Sequence, residues 1–252
     1  MNKNIDDYWN TYREIYSFEE SLKVYRERKA LEFLESLGDD SMEILEIGFG
    51  FTPVFASFPK FRRYVGVEPG LDPYLAALEE SANDNRVELK HGYFSEWSAE
   101  LSGYSFDAIV VTAVLGEVDN AFKFLQSLGN LMEPKTTVYV NVANSNSMHR
   151  IIGMAAGLLP SLDDFSERQA KLGARELFNL HKLEQAISSA LPKVEILNSG
   201  SFFLKPFTHD QMDAALQSGA LTEDVLESLY LASKHFPDFG AELFAVFRRK
   251  IE

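Results

Sequence analysis

Ile44-Leu45-Glu46-Ile47-Gly48-Phe49-Gly50 is the stretch whose reading decides the fold. Ile44, Leu45 and Ile47 form a short apolar run, the pattern of a strand buried on both faces. Gly48 and Gly50 follow at once, and their spacing lets the backbone turn tightly and a ligand come against it. Glu46 sits just inside the strand's end, where a carboxylate can reach back to a ligand group over the turn. Downstream, Tyr64-Val65-Gly66-Val67 predicts a second buried strand, and Glu68 follows it. That is where a nucleotide-binding fold presents an acid to a ribose. A Gly-x-Gly alone is a weak signal, but two acids at these places favour a ligand-binding turn over a plain one. Position 53 is Pro, where a dinucleotide-binding Gly-x-Gly-x-x-Gly needs a third Gly, which speaks against NAD.

Composition narrows the class. The 252 residues, 46% hydrophobic, predict one large domain or a domain with an insertion. A formal net charge of −14 argues against a nucleic-acid binder, which needs a basic face to release phosphate counterions. It also argues against a polybasic membrane anchor. No cysteine is present, so disulfides, thiolate nucleophiles and Cys-ligated zinc are excluded. Residues 1–7 hold no apolar leader, and the longest apolar run, 151–159, is far too short to span a membrane. The expectation is a cytoplasmic enzyme. No His/Asp/Glu set has convincing metal spacing, so no metal is expected.

Strands and helices alternate along the chain. Residues 1–16, with Tyr8, Trp9, Tyr12, Arg13 and Tyr16, show no clean period and read as an arm or a lid. Ser17 and Glu20 form a capping box for a helix reaching about Leu37. Strands are expected at 42–47, 63–67, 86–90, 106–112 and 136–142. A short helix should start at Pro53 or Val54. Another should be capped by Asp72, with Pro73 first. A third should start at Asp119 or Asn120, with Phe122, Leu125, Leu128, Leu131 and Met132 inward. After the fifth strand come a helix over 148–159, a charged excursion over 161–173 and a helix over 177–190. Strand segments at 194–197 and 201–204, helices at 209–217 and 222–235 and a last strand at 241–248 complete the chain. Such alternation implies a parallel sheet with right-handed crossovers and ligands at the strands' carboxyl ends.

The pattern Glu46-x-Gly48-x-Gly50 resembles motif I of the class I S-adenosylmethionine-dependent methyltransferases. The exit loop Ala113–Val118 resembles the segment after their fourth strand, with Gly116 where a polar residue often stands. At fold level the resemblance covers about residues 40–250. It implies an α/β fold: a doubly wound, Rossmann-like, seven-stranded sheet, mostly parallel, with a reversed last strand and a helical insertion after strand 5. It divides the chain into an N-terminal helical arm or lid at 1–38 and a methyltransferase domain at 39–252, with an acceptor-pocket insertion at about 144–180.

The cofactor the resemblance implies is S-adenosyl-L-methionine. Glu46 would sit under its methionine amino group, with Gly48, Phe49 and Gly50 lining it. Glu68, followed by Pro69, would take the ribose hydroxyls. Gly92, Tyr93 and Phe94 would flank the adenine. Thr112, Ala113 and Val114 would pass beneath the methionine part. The run Asn144–Arg150 with Gly153, then Gly173-Ala174-Arg175 and Phe203-Leu204-Lys205-Pro206, is similar to bacterial methyltransferases of sugar, cell-surface glycan or natural-product pathways. Ala174 stands where relatives tend to carry His.

A methyl sulfonium needs only to be held in line with a nucleophile that sometimes must lose a proton. His149 is the candidate catalytic base, since an imidazole titrates near neutral pH and Arg150 beside it would favour the neutral form. Arg150 would also bind an acidic acceptor, and Asn141 and Asn144, at the end of the fifth strand, would orient it. His91, His181, His209 and His235 read as structural. The expected reaction is methyl transfer to a hydroxyl or amine of a small-molecule acceptor, with no nucleic-acid or membrane partner; the pattern fixes no oligomeric state. The alternatives are a non-catalytic cofactor-binding module, a methyltransferase acting on protein and, least favoured, an NAD-type oxidoreductase.

Overall fold

β1 (Met42–Ile47) is the strand from which the sheet spreads. It pairs in parallel with β2 (Phe61–Glu68) on one side and β4 (Ala108–Thr112) on the other. β3 (Val87–His91) extends the β2 side, and β5 (Thr137–Ala143) the β4 side, again in parallel. β6 (Val194–Phe202) and β7 (Glu242–Arg249) close the far edge. β7 lies between β5 and β6 and runs antiparallel to both. The order is β3-β2-β1-β4-β5-β7-β6, a seven-stranded sheet with its last strand reversed. The computed structural model describes residues 5–14, 17–38 and 40–250, without the side chains of Asp6, Asp7 and Arg13. The expectations that fell on Arg13 and Tyr16 lie outside what is described.

Period-two alternation sends each strand's side chains to two separate cores. Ile44, Val110 and Tyr139 point to one face, covered by α2 (Glu19–Ser36), α10 (His209–Gln217) and α11 (Glu223–Ala232). Leu45, Ile47, Ile109 and Val111 point to the other, covered by α5 (Phe94–Leu101), α6 (Ala121–Gly129) and α9 (Leu180–Ala190). Short α3 (Val54–Ser57) follows the glycine turn, and α4 (Leu71–Glu80) joins β2 to β3. Between β5 and α9 the chain makes α7 (Met148–Ala155) and α8 (Glu167–Leu172).

Several local expectations change. Residues 5–14 form a helix, α1, whose Ile5, Tyr8, Trp9 and Tyr12 fall at helical spacing. The Ser17–Glu20 capping box does not form. Phe18 occupies the cap position, Ser17 has φ +24°, and its buried hydroxyl has no partner among the described residues. Gly70, not Asp72, precedes α4. α5 is an additional helix; the Glu96 carboxylate accepts the Tyr93 N–H at its start (2.7 Å). Phe122 points to solvent. α7 stops at Ala155, and Gly157 in the left-handed region turns the chain two residues later. β6 is one strand with a bulge between Ile196 and Asn198 rather than two segments. Among the described residues no helix is long and apolar enough to cross a membrane.

Candidate active site

A cavity of about 760 Å³ opens along the carboxyl ends of β1, β2, β4, β5 and β6. Its first half is made largely of backbone. Gly48 (φ +76°) and Gly50 (φ +54°) turn the chain after β1. A Cβ on Gly48 would lie 2.3 Å from Val114 Cγ2, so the loop after β4 is packed directly against the turn. Ala113 in that loop is held in the left-handed region at φ +58°, a strain that places Thr112, Ala113 and Val114 along the cavity wall. Glu68 ends β2 with only 2% of its surface exposed. Its Oε2 accepts the Gly50 N–H (3.0 Å) and its Oε1 the Gly70 N–H (2.7 Å). Burial raises its pKa to about 7, against the pull of those two backbone bonds and the neighbouring Trp9. Each oxygen keeps acceptor capacity for a ligand.

α1 lies over this half. Trp9 meets Phe51 edge-on, at 5.2 Å between ring centroids. Its Cη2 is 3.4 Å from where a Gly50 Cβ would be, and its Nε1 is against Gly70. That indole N–H is buried beside the Glu68 carboxyl, whose pKa it lowers, but makes no hydrogen bond of good geometry among the described residues. Tyr8 donates to Glu117 Oε1 (3.0 Å). Glu117 is exposed to the cavity, and the loss of bulk water around its carboxyl there raises its pKa, opposed first by the Tyr8 bond. A two-glycine turn, an acid with spare lone pairs and a buried indole N–H beside it fit a ribose-bearing cofactor.

The second half is built from side chains. Lys205, just beyond β6, is 1% exposed on the cavity wall. Its Nζ lies 2.8 Å from His209 Nδ1, and His209 Nε2 lies 3.2 Å from Glu19 Oε2. Glu19 also holds Arg26 (2.9 Å) and Arg168 (3.4 Å), and Arg26 reaches Glu242 (2.8 Å). Against the upward push of burial, Arg26 first, then His209 and Arg168, hold the Glu19 carboxyl well below its usual range. Burial lowers Lys205 to about 7; Glu19 and Glu242 oppose, while Arg168 and Arg26 add to the fall. Burial, then Lys205, lower His209 to about 4. His149 stands on the same wall, its Nδ1 3.0 Å from Ser147 Oγ. Burial, then Lys205 and His209, and least of all Arg150, keep it neutral well below its ordinary pKa.

The structure redistributes the residues singled out from sequence. Gly48, Phe49, Gly50, Glu68, Pro69, Tyr93, Phe94, Thr112, Ala113, Val114 and His149 all meet this cavity. Glu46 does not. Strand alternation puts it on the α2 face, where its Oε2 accepts from Tyr64 Oη (2.6 Å) and the Val54 N–H (2.8 Å). It supports the turn from beneath, with burial raising its pKa to about 7. Gly92 lies off the wall, and a Cβ there would meet Glu96 at 2.4 Å. Asn141 is buried on the Glu46 face, donating to Glu242 Oε2 and the Leu243 carbonyl (both 3.0 Å). Asn144 and Arg150 reach the cavity but are committed elsewhere. The Asn144 amide donates to the Asp238 and Gly240 carbonyls (both 2.8 Å). Arg150 donates to the Ser145, Leu162 and Asp164 carbonyls and to Gln169. It pins the chain between α7 and α8 instead of binding an acceptor. Glu19, Arg168, Lys205 and His209 also line the cavity without having been singled out from sequence; His209 read as structural, and Lys205 stood within the Phe203–Pro206 segment. Among the described residues no group of three or more His, Asp or Glu could hold a metal ion.

A family model described as a methyltransferase domain matches residues 21–190. No curated protein sequence matches the chain. Among solved structures, the plantazolicin methyltransferase BpumL in complex with SAH is 14% identical, with a TM-score of 0.57 over 96% of this chain and 88% of that one. A putative sarcosine dimethylglycine methyltransferase from Galdieria sulphuraria is 10% identical, with a TM-score of 0.57 over 91% and 86%. The [4+2]-cyclase SpnF is 14% identical, with a TM-score of 0.53 over 85% and 77%. At these identities the likeness is one of fold.

Proposed function

This chain belongs to the methyltransferase-domain family, and from that premise we propose that it transfers the methyl group of S-adenosylmethionine to a hydroxyl or amine of a small molecule. The observation that carries the reading is Glu68, anchored by the Gly50 and Gly70 N–H groups and bordering the cavity beside the glycine turn. A carboxylate held there accepts both hydroxyls of a ribose. The fold-level neighbour crystallised with SAH, the plantazolicin methyltransferase BpumL, supports the cofactor.

The bound sulfonium supplies an already activated methyl group, so the protein's task is to position the acceptor, exclude water and receive a proton. The Gly48–Gly50 turn and the Thr112–Val114 loop cradle the methionine part. Tyr93 and Phe94 flank the adenine. α1 is the lid, and the buried Trp9 N–H, beside Glu68, donates to the cofactor beneath it. The segment at about 144–180 shapes the acceptor pocket with His149, whose ring contacts Ser147 at Nδ1 and whose Nε2 has no hydrogen bond among the described residues. Held neutral, His149 accepts a hydrogen bond from the acceptor hydroxyl and aligns it. The depressed pKa that keeps it neutral also makes it a weak base.

The test is incubation of the protein with methyl-deuterated S-adenosylmethionine and a small-molecule extract. A metabolite that gains one labelled methyl group, with S-adenosylhomocysteine released in step, is the expected result. Cofactor binding with no labelled product from broad extracts would make the chain a binding module instead.

A further inference from the structure

The described acceptor half has one buried amine on its wall, and that amine is wired to an acid through an imidazole. Lys205 reaches this place by topology. β6 runs parallel to β5, so its carboxyl end lies at the ligand edge of the sheet. Phe203, in the left-handed region at φ +59° with its carbonyl bonded to the Ala241 N–H (2.7 Å), then turns the chain toward the cavity. Holding a bulky residue there costs energy that the surrounding packing must offset. We propose that Lys205 is the proton acceptor of the reaction, with His209 and Glu19 as the positioning residues behind it. The inference rests on the methyl-transfer reading.

The hydrogen bonds fix the roles. Glu19, held ionised, can only accept, so His209 carries its ring proton on Nε2 and donates it to Glu19. Neutral His209 then accepts at Nδ1 from Lys205, whose amine, when neutral, keeps one lone pair. No other hydrogen bond to Nζ is present among the described residues, which leaves the lone pair for the cavity. As the carbon–sulfur bond breaks and the carbon–oxygen bond forms, sulfur keeps the electron pair and the hydroxyl proton moves to Nζ. One cation, the sulfonium, is exchanged for another, the Lys205 ammonium, so the net charge of the cavity does not change. The groups facing Lys205 suit this exchange. Arg26 and Arg168 are balanced by Glu19 and Glu242, and His149 and His209 stay neutral. Among these facing groups Lys205 is the one free to change charge; Glu68 and Glu117, whose carboxyls are also raised, line the other half of the cavity. The Lys205 value near 7 lies in the range where a general base works, whereas His149 titrates too low.

A consequence follows that needs no knowledge of the acceptor. A cationic ligand beside Lys205 must make it harder to protonate, and a neutral one must not. Protein carrying isotope-labelled lysine is titrated by NMR in two complexes. One holds S-adenosylhomocysteine, the other sinefungin, whose amine puts a cation near the place of the sulfonium. The Lys205 signal is assigned by its loss in Lys205→Met or, if that variant does not fold, in Lys205→Arg. The expected result is a midpoint near neutral pH with S-adenosylhomocysteine, lower by about one unit with sinefungin. Glu19→Gln should lower both midpoints, because it removes a negative charge that faces the amine through His209. A Lys205 that stays charged above pH 9, or titrates identically in the two complexes, overturns the proposal. Failure of either ligand to bind overturns the cofactor reading instead.

Discussion

The two halves of the cavity are built by different means. The half proposed for the cofactor is backbone: a turn of two positive-φ glycines, a strained alanine and one acid anchored by two N–H groups. The half proposed for the acceptor is side chains: α2 supplies Glu19 and Arg26, α8 Arg168, α10 His209 and β7 Glu242. A backbone cradle depends on local spacing and tolerates little change. A side-chain network draws on the whole fold and fits one acceptor chemistry. That difference is what lets one cofactor site serve many acceptors on a shared scaffold.

The largest effect that separates the halves should come from Gly50→Val. A β-branched residue at φ +54° is strained, and its side chain would push into Trp9 and the cofactor space. S-adenosylhomocysteine affinity should fall by about 10³-fold or more, read by calorimetry on protein whose circular dichroism is unchanged. Comparable binding by this variant would mean that the turn does not hold the cofactor. Glu68→Ala comes next. It removes two charge-assisted hydrogen bonds of about 1.5–3 kcal/mol each and should weaken binding by about 10²-fold or more. Near-equal affinity would take Glu68 off the ribose.

How much of each half was legible in the sequence follows from the same contrast. Ile44–Gly50 and Glu68 were readable because strand, turn and acid are neighbours in sequence or one crossover apart. What failed there was the aim of Glu46. Strand alternation from Ile44 sends it to the α2 face, and the pull of the Val54 N–H and Tyr64 hydroxyl then fixes it. The acceptor half was nearly invisible because its links join residues far apart in the chain. Glu19 and His209 are 190 positions apart, and Arg26 and Glu242 are 216 apart. Arg150 illustrates the opposite error. A cation beside a candidate base drew attention, yet the Ser145 carbonyl before α7 and the Leu162 and Asp164 carbonyls between α7 and α8 take its donors. α1 was present as a spacing of Ile5, Tyr8, Trp9 and Tyr12, and was missed because polar residues crowd between them.

Smaller effects sharpen the boundary between binding and support. Trp9→Ala removes the aromatic cover over Gly50 and Gly70 and should speed S-adenosylhomocysteine release by about tenfold, seen in stopped-flow dissociation, with the fold intact. An unchanged release rate would make α1 a surface arm rather than a lid. Glu46→Gln should leave cofactor affinity nearly unchanged and alter stability instead. Burial raises the Glu46 pKa to about 7 in the folded chain. Between its ordinary value and 7 the folded state binds more protons than the unfolded one, so its contribution to stability falls as pH rises through that window. The variant should therefore be more stable than the wild type at pH 8, by about 1–3 kcal/mol, and equal to it near pH 4.5. Urea melts at the two pH values check this. A large loss of cofactor affinity would return Glu46 to the ligand.

The central claim is that this cavity holds S-adenosylmethionine with Glu68 on the ribose. Calorimetric titration of the wild type and Glu68→Ala with S-adenosylhomocysteine and with NADH tests it most directly. The account predicts one S-adenosylhomocysteine per wild-type chain, binding about 10²-fold weaker or more in Glu68→Ala, and no heat from NADH with either protein. NADH binding without S-adenosylhomocysteine binding would contradict it.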